Sequence, residues 1–261
     1  MKQSFEVKAK TQLGQHFLAD ERVIAQLIHA INPKRGEALL EIGPGLGALT
    51  LPLLRVAGAL TALEVDGRVI DILRAKAAPL GQLHLIHGDF LRHDLGPGRW
   101  RLVGNLPYQL SSPILAHCVA ARAHILDMHF MLQKEVVERL CAEPGNRDYG
   151  RLSLLLQRHF EPEALFDIPP KAFSPPPRVQ SAVVRLTPRP APAWAVADEA
   201  AWDAIVRTAF GQRRKMLRQS LKAYFSSAEL EALGIDPTAR PENLSGGDFA
   251  TLANAKAGLK L

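Results

Sequence analysis

Asn105-Leu106-Pro107-Tyr108 is the stretch of this chain whose residue types and order could do the most chemistry. It leaves an apolar strand (Leu102, Val103) that ends in Gly104, and Ser111-Ser112-Pro113 follows soon after. An Asn amide offers a carbonyl acceptor and an NH₂ donor, and the Leu106 backbone carbonyl is a second acceptor. Pro107 restricts the chain so that both can point into one cleft. Tyr108 adds a flat ring. Such a set can hold a planar group bearing an NH₂, for example the exocyclic amine of adenine, by two hydrogen bonds and a stack. A strand-end turn of the same composition is the competing reading, because Asn and Pro are common in turns.

A second constellation lies earlier. Glu41-Ile42-Gly43-Pro44-Gly45-Leu46-Gly47 sits between an apolar run and a helical pattern, and glycines there let the backbone turn sharply and approach a bound nucleoside. Glu64 follows about twenty residues later, at the end of the next expected strand, where a carboxylate can accept from ribose hydroxyls. Asp89-Phe90 closes the third, where Asp can accept from an adenine amine while Phe packs on the ring. Gly43, Gly45 and Ala48 also satisfy a loose G-x-G-x-x-A dinucleotide pattern, which keeps an NAD-dependent oxidoreductase open. Glu41 and Asp89 suit a nucleoside carrying a cationic sulfonium, no later His or Lys stands out as a hydride-transfer acid or base, and Glu64, Asp89 and Asn105 at successive strand ends favour a methyltransferase.

These residues need a scaffold, and the pattern of the chain supplies one. Asp20 to Ile31 reads as an amphipathic helix capped by Asp20, with Val23, Leu27 and Ile31 on one face. Strands are expected at Ala38 to Ile42, Leu60 to Val65, Leu83 to His87, Leu102 to Val103 and Ile125 to Met131. Helices are expected at Ala48 to Val56, Val69 to Ala77 and Lys134 to Cys141. Strand alternating with helix implies a parallel sheet covered on both faces. A Pro-rich stretch (Pro169 to Pro177) leads to a strand at Ala182 to Leu186, and Pro188 to Pro192 reads as a linker. From Glu199 onward the pattern is helical, so two domains are expected, 1–187 and a small all-α domain over 188–261.

With 261 residues, 47% of them hydrophobic and 22% charged, the chain has the composition of an ordinary globular protein. No apolar run approaches the roughly eighteen residues of a membrane span, and the N-terminus is polar rather than signal-like, so a cytoplasmic protein is expected. Cys118 and Cys141 lack metal-site or disulfide spacing, and His84 and His87 lack carboxylate or Cys partners, so no metal is expected. The net charge of +6 is clustered. Arg207, Arg213, Arg214, Lys215, Arg218 and Lys222 occur with no acidic residue among them, as a phosphate-binding patch or as a solvated helix face.

Gln12-Leu13-Gly14-Gln15-His16-Phe17-Leu18, Glu41 to Gly47, Leu63-Glu64-Val65-Asp66, Gly88-Asp89-Phe90, Gly104 to Tyr108 and Phe173-Ser174-Pro175-Pro176-Pro177-Arg178-Val179-Gln180-Ser181 occur in the order seen in rRNA adenine dimethyltransferases, which the chain resembles over nearly its whole length. Phe210 to Leu217 and Arg240 to Ser245 are similar to the KsgA (RsmA) branch, which dimethylates two adjacent adenines near the 3′ end of 16S rRNA. The erythromycin-resistance methylases of 23S rRNA are the nearest alternative. The resemblance implies a Rossmann-like class I methyltransferase fold that uses S-adenosylmethionine, yields S-adenosylhomocysteine and needs no metal. It further implies a monomer acting on 16S rRNA in the 30S subunit or its precursor. Cofactor contacts are then expected from His16, Leu18, Gly43, Gly45, Glu64, Asp89, Phe90 and Asn105. The target base is expected at Asn105, Leu106 and Pro107, between the rings of Tyr108 and Phe173. His16 stands where many members have Asn, and Gln109 where Asn often follows the Tyr; both can still hydrogen-bond. A chain that mainly binds RNA as an assembly factor is the alternative from another class.

Overall fold

In the computed structural model the described residues are 16–258, so Gln12 to Gln15 of the N-terminal motif lie outside them. Strand β1 (Phe17–Leu18) leads into α1 (Glu21–Ile31), where the Asp20 side chain accepts from the N–H groups of Arg22 and Val23. The apolar stripe of α1 is then buried through Val23, Leu27 and Ile31. Next come β2 (Leu39–Ile42), α2 (Thr50–Ala57), β3 (Ala59–Glu64), α3 (Gly67–Ala77), β4 (Gln82–His87) and β5 (Trp100–Asn105). These are followed by α4 (Ser111–Ala120), β6 (Ile125–Gln133) and α5 (Lys134–Cys141), then α6 (Arg151–His159), β7 (Phe160–Ile168), β8 (Phe173–Ser174) and β9 (Ser181–Pro188). The remaining helices are α7 (Glu199–Gly211), α8 (Leu217–Ser220), α9 (Ser227–Ala232) and α10 (Gly246–Gly258).

Seven strands form one sheet in the order β4-β3-β2-β5-β6-β9-β7. The pairs from β4 through β6 are parallel, and β9 joins antiparallel to β6. Because consecutive parallel strands need crossovers, helices cover the sheet and the inner strands become apolar on both faces; all four residues of β2 are buried.

Two elements escape pattern reading. β7 has the sequence FEPEALFDI, with a proline and three acids, and it sits at the sheet edge, the position where a missing N–H and solvated charges are tolerated. α4 (SSPILAHCVA) lacks a polar face to mark its period, so its run of apolar residues does not declare a helix.

The chain divides into two compact units, but not where composition changes. The first comprises Met1–Val137 and Glu161–Pro188, the second Glu138–Phe160 and Arg189–Leu261. The expected division at 187/188 therefore needs correction: residues 138–160 cluster with the helical tail. Their reason for doing so is hydrophobic, since Tyr149 and Leu154 are buried with Trp202, Ile205, Phe249 and Leu252 in one core. Arg158, 3% exposed, is held there by Glu199 at 2.5 Å and lies over the Trp202 ring.

In the first unit a polar network runs across the strand starts. Arg101 at the head of β5 pairs with Glu37 at 2.7 Å and Asp127 at 2.9 Å, and donates to the Ile31 carbonyl that ends α1. Beside it His129 is 3% exposed with neither ring nitrogen hydrogen-bonded. Burial pushes its pKa below 6.5, with Arg101 and Arg185 acting the same way and Asp127 and Glu163 opposing. The unfolded chain takes up a proton near pH 6.5 that the folded chain resists, so this contribution to stability is full above that pH and is lost as pH drops below it. In thermal melts from pH 7.5 to 5, wild type should lose stability relative to His129→Leu as pH falls below 6.5; equal pH dependence in the two proteins would show that His129 makes no such contribution.

Candidate active site

Parallel strands present their carboxyl ends on one side of the sheet, and that is where this chain is concave. A cavity of about 1560 Å³ is lined by residues that follow β2, β3, β4 and β5, together with His16 to Ala19, one side of α1 and α2, and Ser174-Pro175. The residues expected from sequence at the cofactor and target sites converge on it. His16, Leu18, Gly43, Gly45, Glu64, Asp89, Phe90, Asn105, Leu106, Pro107 and Tyr108 all line it.

Two glycines fix the backbone here, Gly45 at the cavity and Gly104 between β2 and β5. Gly45 has φ of +53°, and a Cβ there would meet the Phe17 ring at 3.0 Å. Its N–H donates to Glu64 Oε2 at 3.0 Å, while Glu64 Oε1 accepts from the Asp66 N–H at 2.9 Å. Glu64 is 4% exposed, so these two bonds offset its desolvation and pin the glycine loop to the end of β3. Gly104 is a close-approach glycine: a Cβ would stand 2.7 Å from the Ile42 carbonyl oxygen.

Asn105 Nδ2 donates to the His16 carbonyl at 2.8 Å. That bond sets the orientation of the amide and leaves Oδ1 as its acceptor at the cavity. His16 Nδ1 bonds with the Pro175 carbonyl at 2.9 Å, and the His16 and Tyr108 rings stack with centroids 5.8 Å apart. Tyr108 Oη bonds to Ser181 Oγ at 2.6 Å, and burial raises the phenol pKa against the opposing effect of that bond. The ring is thereby anchored to β9. Asp89 is exposed and accepts from the Leu91 N–H at 3.0 Å; Phe90 is buried and edge-on to His117.

Phe173 requires correction. It pairs with Leu18 across the β1–β8 ladder, is 3% exposed among core residues and does not line the cavity. Adjacent residues of a strand face opposite ways, so Ser174 reaches the cavity and Phe173 the core. Arg213 requires one too. Its guanidinium holds Glu242 at 2.7 Å and donates to the Arg147 carbonyl, so it closes a loop of its own unit. Arg207, Arg214, Lys215, Arg218 and Lys222 are exposed. Cys118 is buried and its thiol is pushed up to about 12, which excludes a thiolate nucleophile at neutral pH.

Sequence reasoning missed the burial of Glu41. It is 2% exposed, lines the cavity, and its Oε2 has no hydrogen-bond partner. Burial pushes its pKa up to about 8; Thr50 opposes this and the Glu64 carboxylate adds to it. The signal was present as an acid inside an otherwise apolar strand, LLEI.

Gly104→Ala should drive β2 and β5 apart, because the colliding atom is backbone and cannot rotate away. A loss of roughly 1–3 kcal/mol is expected in urea denaturation; an unchanged midpoint would contradict the close approach.

A family model described as ribosomal RNA adenine dimethylase matches residues 6–258. The chain is 56% identical over 253 residues to ribosomal RNA small subunit methyltransferase A of Dichelobacter nodosus, with 96% of each chain covered. It is 51% identical over 258 residues to the protein of the same name from Xylella fastidiosa (strain Temecula1), with 97% of each covered. Among solved structures it is similar to a dimethyladenosine transferase from Plasmodium falciparum, with a TM-score of 0.79, 25% identity, and 93% and 98% of the two chains covered. It is also similar to the 23S rRNA methyltransferase ErmE, with a TM-score of 0.71, 27% identity, and 90% and 97% covered. The dehydrogenase alternative left open by Gly43, Gly45 and Ala48 is thereby set aside: the chain belongs to the ribosomal RNA adenine dimethylase family.

Proposed function

We propose that this chain transfers methyl groups from S-adenosylmethionine to the exocyclic amines of two adjacent adenines near the 3′ end of 16S rRNA, in the 30S subunit or its precursor. The reading places it in the cytoplasm as a monomer, and its chemistry requires no metal. The observation that carries it is the Asn105 amide, turned by the His16 carbonyl so that Oδ1 is its acceptor at the cavity.

The residues present fit the cofactor. Three carboxylates (Glu21, Glu64, Asp89), the buried Glu41 carboxyl and one guanidinium (Arg55) line the cavity, a balance suited to a cationic nucleoside. A Cβ on Gly43 would stand in open space, so the loop leaves room for a ligand against its backbone. His16, Leu18, Gly43, Gly45, Glu64, Asp89 and Phe90 would hold it. When bound, S-adenosylmethionine supplies a methyl group made electrophilic by its sulfonium. Asn105 Oδ1 and the Leu106 carbonyl would accept the two hydrogens of the target amine and draw its lone pair out of conjugation with the ring. Tyr108, anchored through Ser181, offers the stacking surface. No strong base is needed, since the methylated ammonium is acidic and loses its proton to water.

Incubation with labelled S-adenosylmethionine and unmethylated 30S particles, followed by nucleoside analysis, tests the reading; dimethyladenosine is expected. Asn105→Ala should abolish the product while weakening cofactor binding far less than turnover. Normal product formation by that variant would show that the motif has another role.

The exposed cations Arg207, Arg214, Lys215, Arg218 and Lys222 are proposed to contact rRNA phosphates, with Arg213 acting only through the loop it closes. Reversing Arg214, Lys215 and Arg218 to Glu should weaken 30S binding and reduce its salt slope by roughly two units, with cofactor binding intact. Wild-type affinity at every salt concentration would identify the patch as a solvated surface.

A further inference from the structure

Two exposed apolar side chains stand near the anchored tyrosine. Leu110 is 42% exposed and Val179 44%. Tyr108 comes two residues before the first, and Ser181, whose hydroxyl bonds to Tyr108 Oη at 2.6 Å, two residues after the second. Leu110 lines the cavity, while Val179 lies on the segment that joins Pro175 at the cavity to Ser181. The pair therefore marks its rim. Of the other large apolar residues left exposed among the described residues, Val56 and Val65 lie on α2 and just after β3, the side given to the cofactor, and Leu126 and Met216 do not line the cavity.

Both positions are held by the backbone around them. The Leu110 N–H donates to the Pro107 carbonyl at 2.9 Å, and directly after it the start of α4 is buried through Ser111, Ile114 and Leu115. Across the rim Pro177 is buried, and the Gln180 carbonyl accepts from the Lys134 N–H at 2.9 Å, so Val179 is fixed from either side. Its neighbour Arg178 is exposed, a cation beside an apolar side chain. That combination suits a nucleic acid, whose phosphates are anionic and whose base faces are apolar.

On the reading above, on which this inference rests, the target amine meets Asn105 and Leu106. Leu106 is buried and Asn105 half-buried, so an adenine reaches them only by leaving its stack in the RNA. Its departure bares the faces of the bases it stacked on, and an apolar side chain held at the entrance can cover them.

We propose that Leu110 and Val179 are positioning residues for the RNA, covering the base faces that the target adenine leaves bare as it enters the cavity, while Arg178 meets an adjacent phosphate. No covalent bond changes in this step. The rim acts on the stack and leaves the cofactor untouched.

Unmethylated 30S particles carrying 2-aminopurine in place of one target adenine supply the readout, because this base fluoresces more strongly once unstacked. Binding of the wild-type chain should raise the fluorescence. The double variant Leu110→Ala with Val179→Ala should lose most of that rise and, on ordinary particles, lower kcat for dimethyladenosine about tenfold. Its thermal melt and its affinity for S-adenosylmethionine should match wild type, since both side chains are exposed. Leu110→Met, which keeps a long apolar side chain, should retain most of the rise, and Leu110→Ser should not. An undiminished rise and kcat in the double variant would overturn the proposal. So would a loss confined to 30S affinity, which would identify the rim as a contact to the ribosomal surface instead of the target's stack. If the wild-type chain formed no dimethyladenosine on ordinary particles, the functional reading itself would fall, and this inference with it.

Discussion

Parallel alignment of four adjacent strands is the constraint on which the site depends. Each strand must end on the same side of the sheet, so residues far apart in sequence are carried to neighbouring positions without direct contact between them. Glu41, Glu64, Asp89 and Asn105 come from four separate strand ends and line one cavity. The register that achieves this is set by apolar strands buried on both faces. A one-residue slip would turn Glu41 or Glu64 to the opposite face.

Local hydrogen bonds then convert convergence into fixed geometry. Glu64 ties the glycine loop to β3, Asn105 ties β5 to the chain before α1, and Tyr108 ties the motif to β9 through Ser181. Each bond spans a long loop in sequence, and each restrains a group whose freedom would otherwise cost entropy on binding. At the opposite ends of the strands, Arg101 joins β5, β6 and the end of α1 through Asp127, Glu37 and the Ile31 carbonyl. The chemistry-bearing end stays acidic and concave, while the charged network that braces the sheet is kept at the other.

The charged residues divide by burial rather than by type. Arg101, Arg158 and Arg213 are consumed by partners within the fold, whereas Arg207, Arg214, Lys215, Arg218 and Lys222 stand in solvent. In one contiguous basic segment, then, Arg213 closes a loop while its neighbours Arg214 and Lys215 face outward, a distinction set by where Glu242 returns in space.

By itself the sequence determined the strand-helix alternation, the Asp20 cap, the glycine loop and the identity of the strand-end polar residues, because periodicity, capping and positive φ are local properties. It also showed the family, through motifs spread along nearly the whole chain. Only the tertiary structure decided which face each residue took. Phe173 went to the core and Ser174 to the cavity because β8 pairs with β1, and 138–160 joined the helical unit because Tyr149 and Leu154 found apolar partners there. β7 became a strand because an edge position tolerates its proline and acids. Glu41 acquired its buried carboxyl, with Oε2 unpartnered, for the same reason: burial and pairing are sums over neighbours distant in sequence, and no local pattern contains them.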